Sequence, residues 1–325
     1  FSFFENGNAS NPTLAAYFCK TVTAILNKKG LTLMKGILLA GGLGKRLYPI
    51  TKSISKQLLP VYDKPMIYYS LSVLMIAGIR EIILISTPYD LQNYKSLLGN
   101  GDDFGIKIIY EQQEEAKGIG QAFLIAEKHI LNSKVCLILG DNIFYGQGLK
   151  SKLEMAKSRD SGATVFSYKV RNPKDFGVVS FNEDGRVIDI EEKPKYPKSN
   201  NVLTGLYFYD ENILEYAKTI APSDRNELEI TDINKKYLEN KNLYVEDFGR
   251  GFAWLDTGTH QSLLEAGQFI QTIENRQNLK VACLEEIACR NGWISKANMI
   301  KLGEKLGDTE YGKYIINIAN DIEYT

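Results

Sequence analysis

The sequence predicts an α/β fold, a mostly parallel central sheet flanked by helices, with a β-hairpin insertion and a C-terminal helical appendage. Three observations carry this prediction. From Met34 onward, short apolar runs alternate with helix-length segments, the rhythm of βα units. The first run empties into a loop holding Gly41, Gly42 and Gly44, and ligands of open sheets sit at such strand ends. Past Phe176 the rhythm changes to two-residue alternation on either side of Asp184-Gly185, a hairpin signal.

Taken in order, strands are expected at Gly36–Leu39, Glu81–Ser86, Lys107–Tyr110, Val135–Leu139 and Ala163–Val170. Helices are expected between them at Pro65–Ala77, Leu91–Leu98, Gly120–His129 and Leu149–Lys157. The stretch GVVSFNEDGRVIDIEEKP forms the hairpin, followed by a strand at Leu203–Tyr209 and a helix at Glu227–Leu238. The segment WLDTGTH then leads into a long helix, His260–Asn275, and further helical sequence. There is no internal repeat, low-complexity tract or polar linker. Residues 34–258 are therefore expected to form one catalytic domain, with 259–325 a helical region packed on it.

Residues 1–33 match neither rhythm and are expected to be an extension outside the core. Leu14–Leu26 is apolar, but Lys20 interrupts it, no basic region precedes it and no A-x-A pattern follows, which argues against a signal segment. A short helix docked on the core is the alternative.

Lys plus Arg and Asp plus Glu balance at 39 each, so the chain carries no overall field to attract nucleic acid or an anionic membrane. The 14 Phe and 19 Tyr lack an accompanying basic stripe and are expected in the core or at a subunit contact, not under nucleic acid. Four cysteines without a C-x-x-C pair and only two histidines argue against a zinc site or a disulfide framework and for a reducing cytoplasm. No apolar stretch approaches the roughly 20 residues that span a bilayer.

Local cations must therefore be read as sites. Lys45, Arg46 and Lys56 follow the glycine loop within a dozen residues, and glycine lets backbone N–H groups approach an anion closely. A polyphosphate is the expected guest. The loop is not a dinucleotide fingerprint, because Leu47 stands where the third glycine belongs. Nor is it a P-loop, whose first glycine and final Ser or Thr are replaced by Leu39 and Arg46.

Asp141, in LILGDN, closes an apolar strand, and Asp256, in WLDTGTH, follows two apolar residues before a turn. Mg²⁺ prefers such carboxylates and takes one or two of them with substrate phosphates. Either aspartate alone reads as readily as a turn or cap residue. Gln57 and Gln113 each offer an acceptor and two donors, as a base edge requires.

The motifs LAGGLGKRLYP and SKQLLPVYDKPMIYY resemble the opening of the sugar-phosphate nucleotidyltransferases, most closely their thymidylyl-transferring branch, and the similarity runs from Met34 to about Tyr314. One departure is Lys45, where the family usually has threonine. The resemblance implies a Rossmann-like nucleotide-diphospho-sugar transferase fold. It implies a Mg²⁺-dependent reaction of dTTP with α-D-glucose 1-phosphate, giving dTDP-glucose and diphosphate on the route to dTDP-rhamnose. UTP in place of dTTP, or a non-catalytic nucleotide-sugar sensor, are the alternatives; an NAD-linked oxidoreductase is disfavoured by the broken fingerprint.

Residue by residue, the resemblance assigns phosphate contacts to Gly41, Gly42, Gly44, Lys45, Arg46 and Lys56, and the metal to Asp141 and Asp256. Gln57, Gln113 and Gly118 are assigned to the base. Glu192 is assigned to the sugar hydroxyls and Lys193 to the sugar phosphate, with Gly177 and Gly205 letting backbone approach the sugar, and Asn142 and Leu203 are assigned to substrate binding. In LEEIACRNGWI, Glu286, Ile287 and Arg290 match a second, regulatory site for dTDP-rhamnose at a subunit contact of a homotetramer, and Gly146 matches another part of it. Lys150, near Gly146, stands where histidine is common. Without the resemblance, Glu286 and Arg290 are an ordinary i,i+4 pair.

A chain begun at Met34 is expected to fold and turn over like the whole chain; loss of soluble protein on truncation would show that the extension is structural.

Overall fold

The computed structural model describes residues 34–42 and 44–322, so the extension expected at 1–33 lies outside the described residues. The first part of the chain runs β1 (Lys35–Ala40), β2 (Pro60–Val61), β3 (Lys64–Pro65), α1 (Ile67–Ile76), β4 (Glu81–Ser86), α2 (Leu91–Leu98) and β5 (Lys107–Gln112). It continues through α3 (Gln121–Ile125), α4 (Glu127–Ile130), β6 (Val135–Leu139), β7 (Asn142–Gly146), α5 (Leu149–Ser158) and β8 (Ala163–Lys169). Then follow β9 (Gly177–Phe181), β10 (Val187–Glu192), β11 (Asn201–Tyr209), α6 (Ile213–Thr219), α7 (Ile230–Glu239), β12 (Leu243–Asp247) and β13 (Phe252–Asp256). The described chain ends with α8 (His260–Gln277), α9 (Leu284–Arg290), α10 (Lys296–Lys305) and α11 (Glu310–Asp321).

The central sheet has the order β10-β9-β11-β6-β1-β4-β5, with β8 also on β11 and β12 on β8. Strands β6, β1, β4 and β5 are parallel neighbours. Successive residues of such strands point to opposite faces, and both faces are covered. Leu38, Ile82, Leu84 and Ile138 join the apolar cluster that contains α1, whereas Ile37, Ile83, Ile85 and Leu137 join the one that contains Phe123 of α3.

Apart from α6, β12 and the β2–β3 pair, which the sequence reading does not foresee, three features differ from expectation. The helix expected over Gly120–His129 breaks at Ala126 into α3 and α4. The hairpin β9–β10 forms an edge of the central sheet through Val202 opposite Val178. The third difference is a ribbon that was not foreseen, the antiparallel pair β7–β13.

Strand β11 shares out its partners along its length. Residues Leu206–Tyr209 lie antiparallel to β6, Val202 pairs with β9, and β8 takes both ends with an irregularity between Leu203 and Tyr207. The residues between the two pairings, Leu203–Gly205, are thereby left at a cavity wall.

The C-terminal helices sit on this core. Helix α9 packs on α1, and the Asn291 amide donates to the Met75 carbonyl at 3.1 Å. Among the described residues no helix is long and apolar enough to cross a membrane.

A buried four-charge network joins α8 and the segment after it to the small β2–β3 hairpin. Glu274 accepts from Lys64 at 3.0 Å, from Lys280 at 2.9 Å and from the Val281 N–H at 2.9 Å. Asp63 pairs with both lysines. The Lys64 side chain is only 2% exposed and that of Glu274 4%, so removal of one partner strands a buried charge. Glu274→Ala is expected to cost about 3–5 kcal/mol of stability, read as a lowered urea midpoint at pH 7. Burial raises the Asp63 carboxyl, but the two lysines overcome this and hold it below its ordinary 3.8. Its contribution is thus complete above that value and is lost as pH falls through and below it. Burial disfavours the Lys280 charge, yet the hydrogen bonds it donates to Asp63 and Glu274 raise it above 10.5, so its contribution is lost only as pH climbs past that value. Denaturation midpoints that do not fall on acidification below pH 4 more steeply than in Asp63→Asn would contradict this account of Asp63.

Candidate active site

The site is built where β1, β6, β7, β10 and β13 end or begin, and along the middle of β11. After β1, Gly41 is buried and Gly42 exposed, and the Thr51 hydroxyl donates to the Gly44 carbonyl at 2.8 Å to close the loop. Lys45 and Arg46 stand exposed on the single turn that follows. Lys56, by contrast, is buried and reaches across to β6.

The ammonium of Lys56 lies 2.6 Å from one carboxylate oxygen of Asp141 and 3.9 Å from one of Asp256. The ribbon register explains how residues so distant in sequence meet: Asp256 is paired with Asn142, the residue after Asp141. Gly258 leaves room for the Arg46 guanidinium; a Cβ there would come within 2.8 Å of it.

The two carboxyl groups are held differently. Burial opposes ionisation of Asp141, but the charge of Lys56 and hydrogen bonds from Lys56 and Asn142 outweigh it and keep the group below the usual carboxylate range. Burial and the neighbouring Asp141 charge push Asp256 up to about 6, against the opposing pull of Lys56 and Arg46. One lysine does not offset two carboxylates in a half-enclosed space, and a divalent cation would. The donors are hard oxygens that are 23% and 22% exposed on the cavity side, which fits a cation such as Mg²⁺ that takes one or two carboxylates and fills its shell with phosphate and water. Among the described residues no group of three or more His, Cys, Asp or Glu is arranged around a common metal position.

Beside this pair opens a cavity of about 450 Å³, lined by Arg46, Asp141, Asn142, Gly177, Glu192, Lys193, Leu203, Gly205 and Asp256 among others. Glu192 ends β10, where it accepts hydrogen bonds from the Thr231 hydroxyl and from Arg225, the latter at 3.3 Å. Lys193 follows at φ 43°, a left-handed conformation that costs a non-glycine residue energy and is typical of functional positions. Its N–H bonds to the Phe176 carbonyl at 3.0 Å and its ammonium is 3.7 Å from Glu192. Gly177 faces both Glu192 and Thr231.

Of the residues expected at the base, Gln57 and Gln113 are both buried. Gln57 accepts from the Ser55 hydroxyl at 2.8 Å, and the Gln113 amide donates to Gln121 at 2.8 Å with its oxygen over Gly41. Gly118 adopts φ +93°, and a Cβ there would meet the Leu228 carbonyl at 2.5 Å, so its absence of a side chain is already demanded by the fold.

Sequence reasoning missed Arg225, Thr231 and Trp254. Trp254 had a usable signal, since it precedes Asp256 by two residues and so shares its face of the strand. Arg225, in a loop, had none.

The residues expected at a second site are more dispersed. Glu286 pairs with Arg290 at 2.8 Å and accepts from the Tyr314 hydroxyl at 2.6 Å. Ile287 packs against the apolar cluster around α1. Gly146 lies on β7 opposite Phe252, whose ring a Cβ would strike at 2.6 Å.

Residues 35–273 match the nucleotidyl transferase family. The chain belongs to this family. It is 58% identical to a glucose-1-phosphate thymidylyltransferase of Neisseria meningitidis over 88% of this chain and 99% of the relative. A protein of the same name from Mycobacterium tuberculosis is 50% identical over the same shares. A crystal structure described as a glucose-1-phosphate thymidylyltransferase of Bacillus anthracis in complex with sucrose has a TM-score of 0.68 at 42% identity, covering 73% of this chain and 94% of that one. A UDP-glucose pyrophosphorylase complexed with UDP-glucose shares the fold at a TM-score of 0.66 and 24% identity, over 74% of this chain and 99% of that one.

Asp141→Asn and Asp256→Asn are each expected to lower kcat by at least about a hundredfold, the order of loss when one charge-stabilising group is removed, with an unchanged circular dichroism spectrum. Near-normal turnover in either variant at saturating Mg²⁺ would remove that residue from the cation site.

Proposed function

We propose that the protein is a Mg²⁺-dependent glucose-1-phosphate thymidylyltransferase, converting dTTP and α-D-glucose 1-phosphate to dTDP-glucose and diphosphate. The observation that carries this reading is the Lys56, Asp141 and Asp256 cluster beside a cavity that Asp141, Asp256, Glu192 and Lys193 all line. Cations and carboxylates lining one cavity suit a sugar phosphate bound next to a nucleoside triphosphate. The names of the curated relatives support the choice of sugar and base.

An oxygen of the sugar phosphate attacks the α-phosphorus of dTTP in line; the new P–O bond forms as the bond to the β-phosphate breaks, and diphosphate leaves on the opposite side. No side chain acts as nucleophile. Asp141 and Asp256 would hold Mg²⁺, which would supply charge neutralisation of the triphosphate. The protein's own part is orientation and charge: the loop amides from Gly41 to Gly44 and the cations Lys45, Arg46 and Lys56 receive the triphosphate, Lys193 holds the sugar phosphate, and Glu192 accepts from sugar hydroxyls. Gln57 and Gln113, with Gly118, form the base wall, and Gly177, Leu203 and Gly205 the sugar wall. We assign residues 34–258 to this catalytic unit and 259–325 to a helical region that supports it.

The base is the narrowest choice. dTTP and UTP differ by one methyl, worth about 1–3 kcal/mol in an apolar pocket. Diphosphate release measured across dTTP, UTP, CTP and ATP with glucose 1-phosphate tests the reading; a preference for UTP, or no release with any, overturns it.

Lys193→Ala is expected to raise KM for glucose 1-phosphate about ten- to hundredfold, the worth of one charged hydrogen bond, with less change for dTTP. Arg46→Ala is expected to act on dTTP instead. The reverse pattern would exchange the two ends of the site.

For regulation we propose a homotetramer that dTDP-rhamnose inhibits through Glu286, Ile287 and Arg290 of one region and Gly146 of another. Arg290 is half exposed, so its guanidinium can leave its pair with Glu286 for a diphosphate. Arg290→Ala should relieve inhibition with its uninhibited rate unchanged. A monomer by light scattering, or indifference to millimolar dTDP-rhamnose, would sink this assignment alone.

A further inference from the structure

Asn142 is 3% exposed and is the hub of three hydrogen bonds. Its carbonyl oxygen accepts from the Trp254 indole N–H at 2.7 Å and from the Gly205 backbone N–H at 3.0 Å. Its amide nitrogen donates to Asp141 Oδ1 at 2.9 Å. With two N–H donors aimed at one end, the amide has a single workable orientation, because the reversed group would set NH₂ against both. Asp141 Oδ2 is held separately by Lys56. Each oxygen of the carboxylate therefore has its own fixed donor, which sets the plane of the group.

We propose that Trp254, acting through Asn142, is a positioning residue that fixes Asp141 for the divalent cation. The proposal rests on the reading of Asp141 as a cation ligand. Trp254 lies two residues before Asp256 on β13, so one strand carries one cation ligand and the group that orients the other. Gly205 belongs to the same device. A Cβ at that position would come within 2.7 Å of the Asn142 oxygen and drive the amide off its donors. Its lack of a side chain thus serves Asn142, whatever it also does for a sugar. The Trp254 ring is placed independently, edge-on to Phe176 at 5.3 Å and to Tyr168 at 5.9 Å, which allows its N–H to be removed while the ring stays.

The test measures Mn²⁺ affinity of the full chain without substrate, from the EPR signal of the free ion, alongside the Mg²⁺ concentration for half-maximal rate. Trp254→Phe is expected to weaken Mn²⁺ binding about tenfold or more, as loss of a group that orients a metal ligand does, and to raise the Mg²⁺ requirement in parallel. KM for glucose 1-phosphate at saturating Mg²⁺ should stay near that of the unaltered protein. Because the indole acts only through the amide, Trp254→Phe combined with Asn142→Ala should bind Mn²⁺ no more weakly than Asn142→Ala alone. Gly205→Ala, which keeps the indole and crowds the amide, should reproduce the shift. Unaltered Mn²⁺ affinity in Trp254→Phe or in Gly205→Ala, or additive losses in the double variant, would overturn the linkage. Absence of turnover in the unaltered protein would instead sink the assigned reaction, which the substrate-free Mn²⁺ comparison does not depend on.

Discussion

The register of the β7–β13 ribbon is the constraint on which the site depends. Pairing of Asp256 with Asn142 brings two carboxylates, 115 positions apart in the chain, to one ammonium. A strand slip of one residue would turn Asp256 and Trp254 together to the opposite face, because side chains alternate. The register is held by apolar packing along the ribbon: Trp254 packs edge-on against Phe176 and Tyr168, and Phe252 lies tilted against Phe248. Packing away from the charges thus sets the geometry of the charges.

The electrostatics follow from this closeness. Burial and the neighbouring Asp141 charge push Asp256, which lies farther from the Lys56 ammonium, up to about 6. Asp141 takes the stronger lysine contact and the Asn142 hydrogen bond, and stays charged. Arg46 and Lys193 line the same cavity as the two carboxylates, an arrangement consistent with the proposed binding of a cation and of two phosphate-bearing substrates.

Strand β11 supplies the other half of the site by dividing its edge between β9 and β6. At the break, Leu203–Gly205 face the cavity, and the Gly205 N–H is free of the ladder to bond Asn142. The β9–β10 hairpin, carried on the same strand, delivers Glu192 and Lys193 to the same cavity. The C-terminal region meets this unit through α9 on α1, through α8 on β13 and Leu255, and through the Lys64, Glu274, Asp63 and Lys280 network on the β2–β3 hairpin.

By itself the sequence determined the α/β class, because buried parallel strands leave continuous apolar runs and the helices between them leave their own length. It placed the glycine loop and the hairpin, whose signals are local, and motif resemblance pointed to Asp141, Asp256, Glu192 and Lys193 as members of one site. Only tertiary structure decided what lies next to what. The ribbon was hidden because Asn142–Gly146 and Phe252–Asp256 are short and find each other across more than a hundred residues. Arg225 and Thr231 carry no local pattern that ties them to Glu192. Gly118 and Gly146, read from the sequence as ligand positions, also answer to a packing demand from Leu228 and Phe252 that no periodicity reports. Sequence encodes the chemistry of each side chain and its local backbone preference, whereas distances and the fields they produce exist only once the chain has closed on itself.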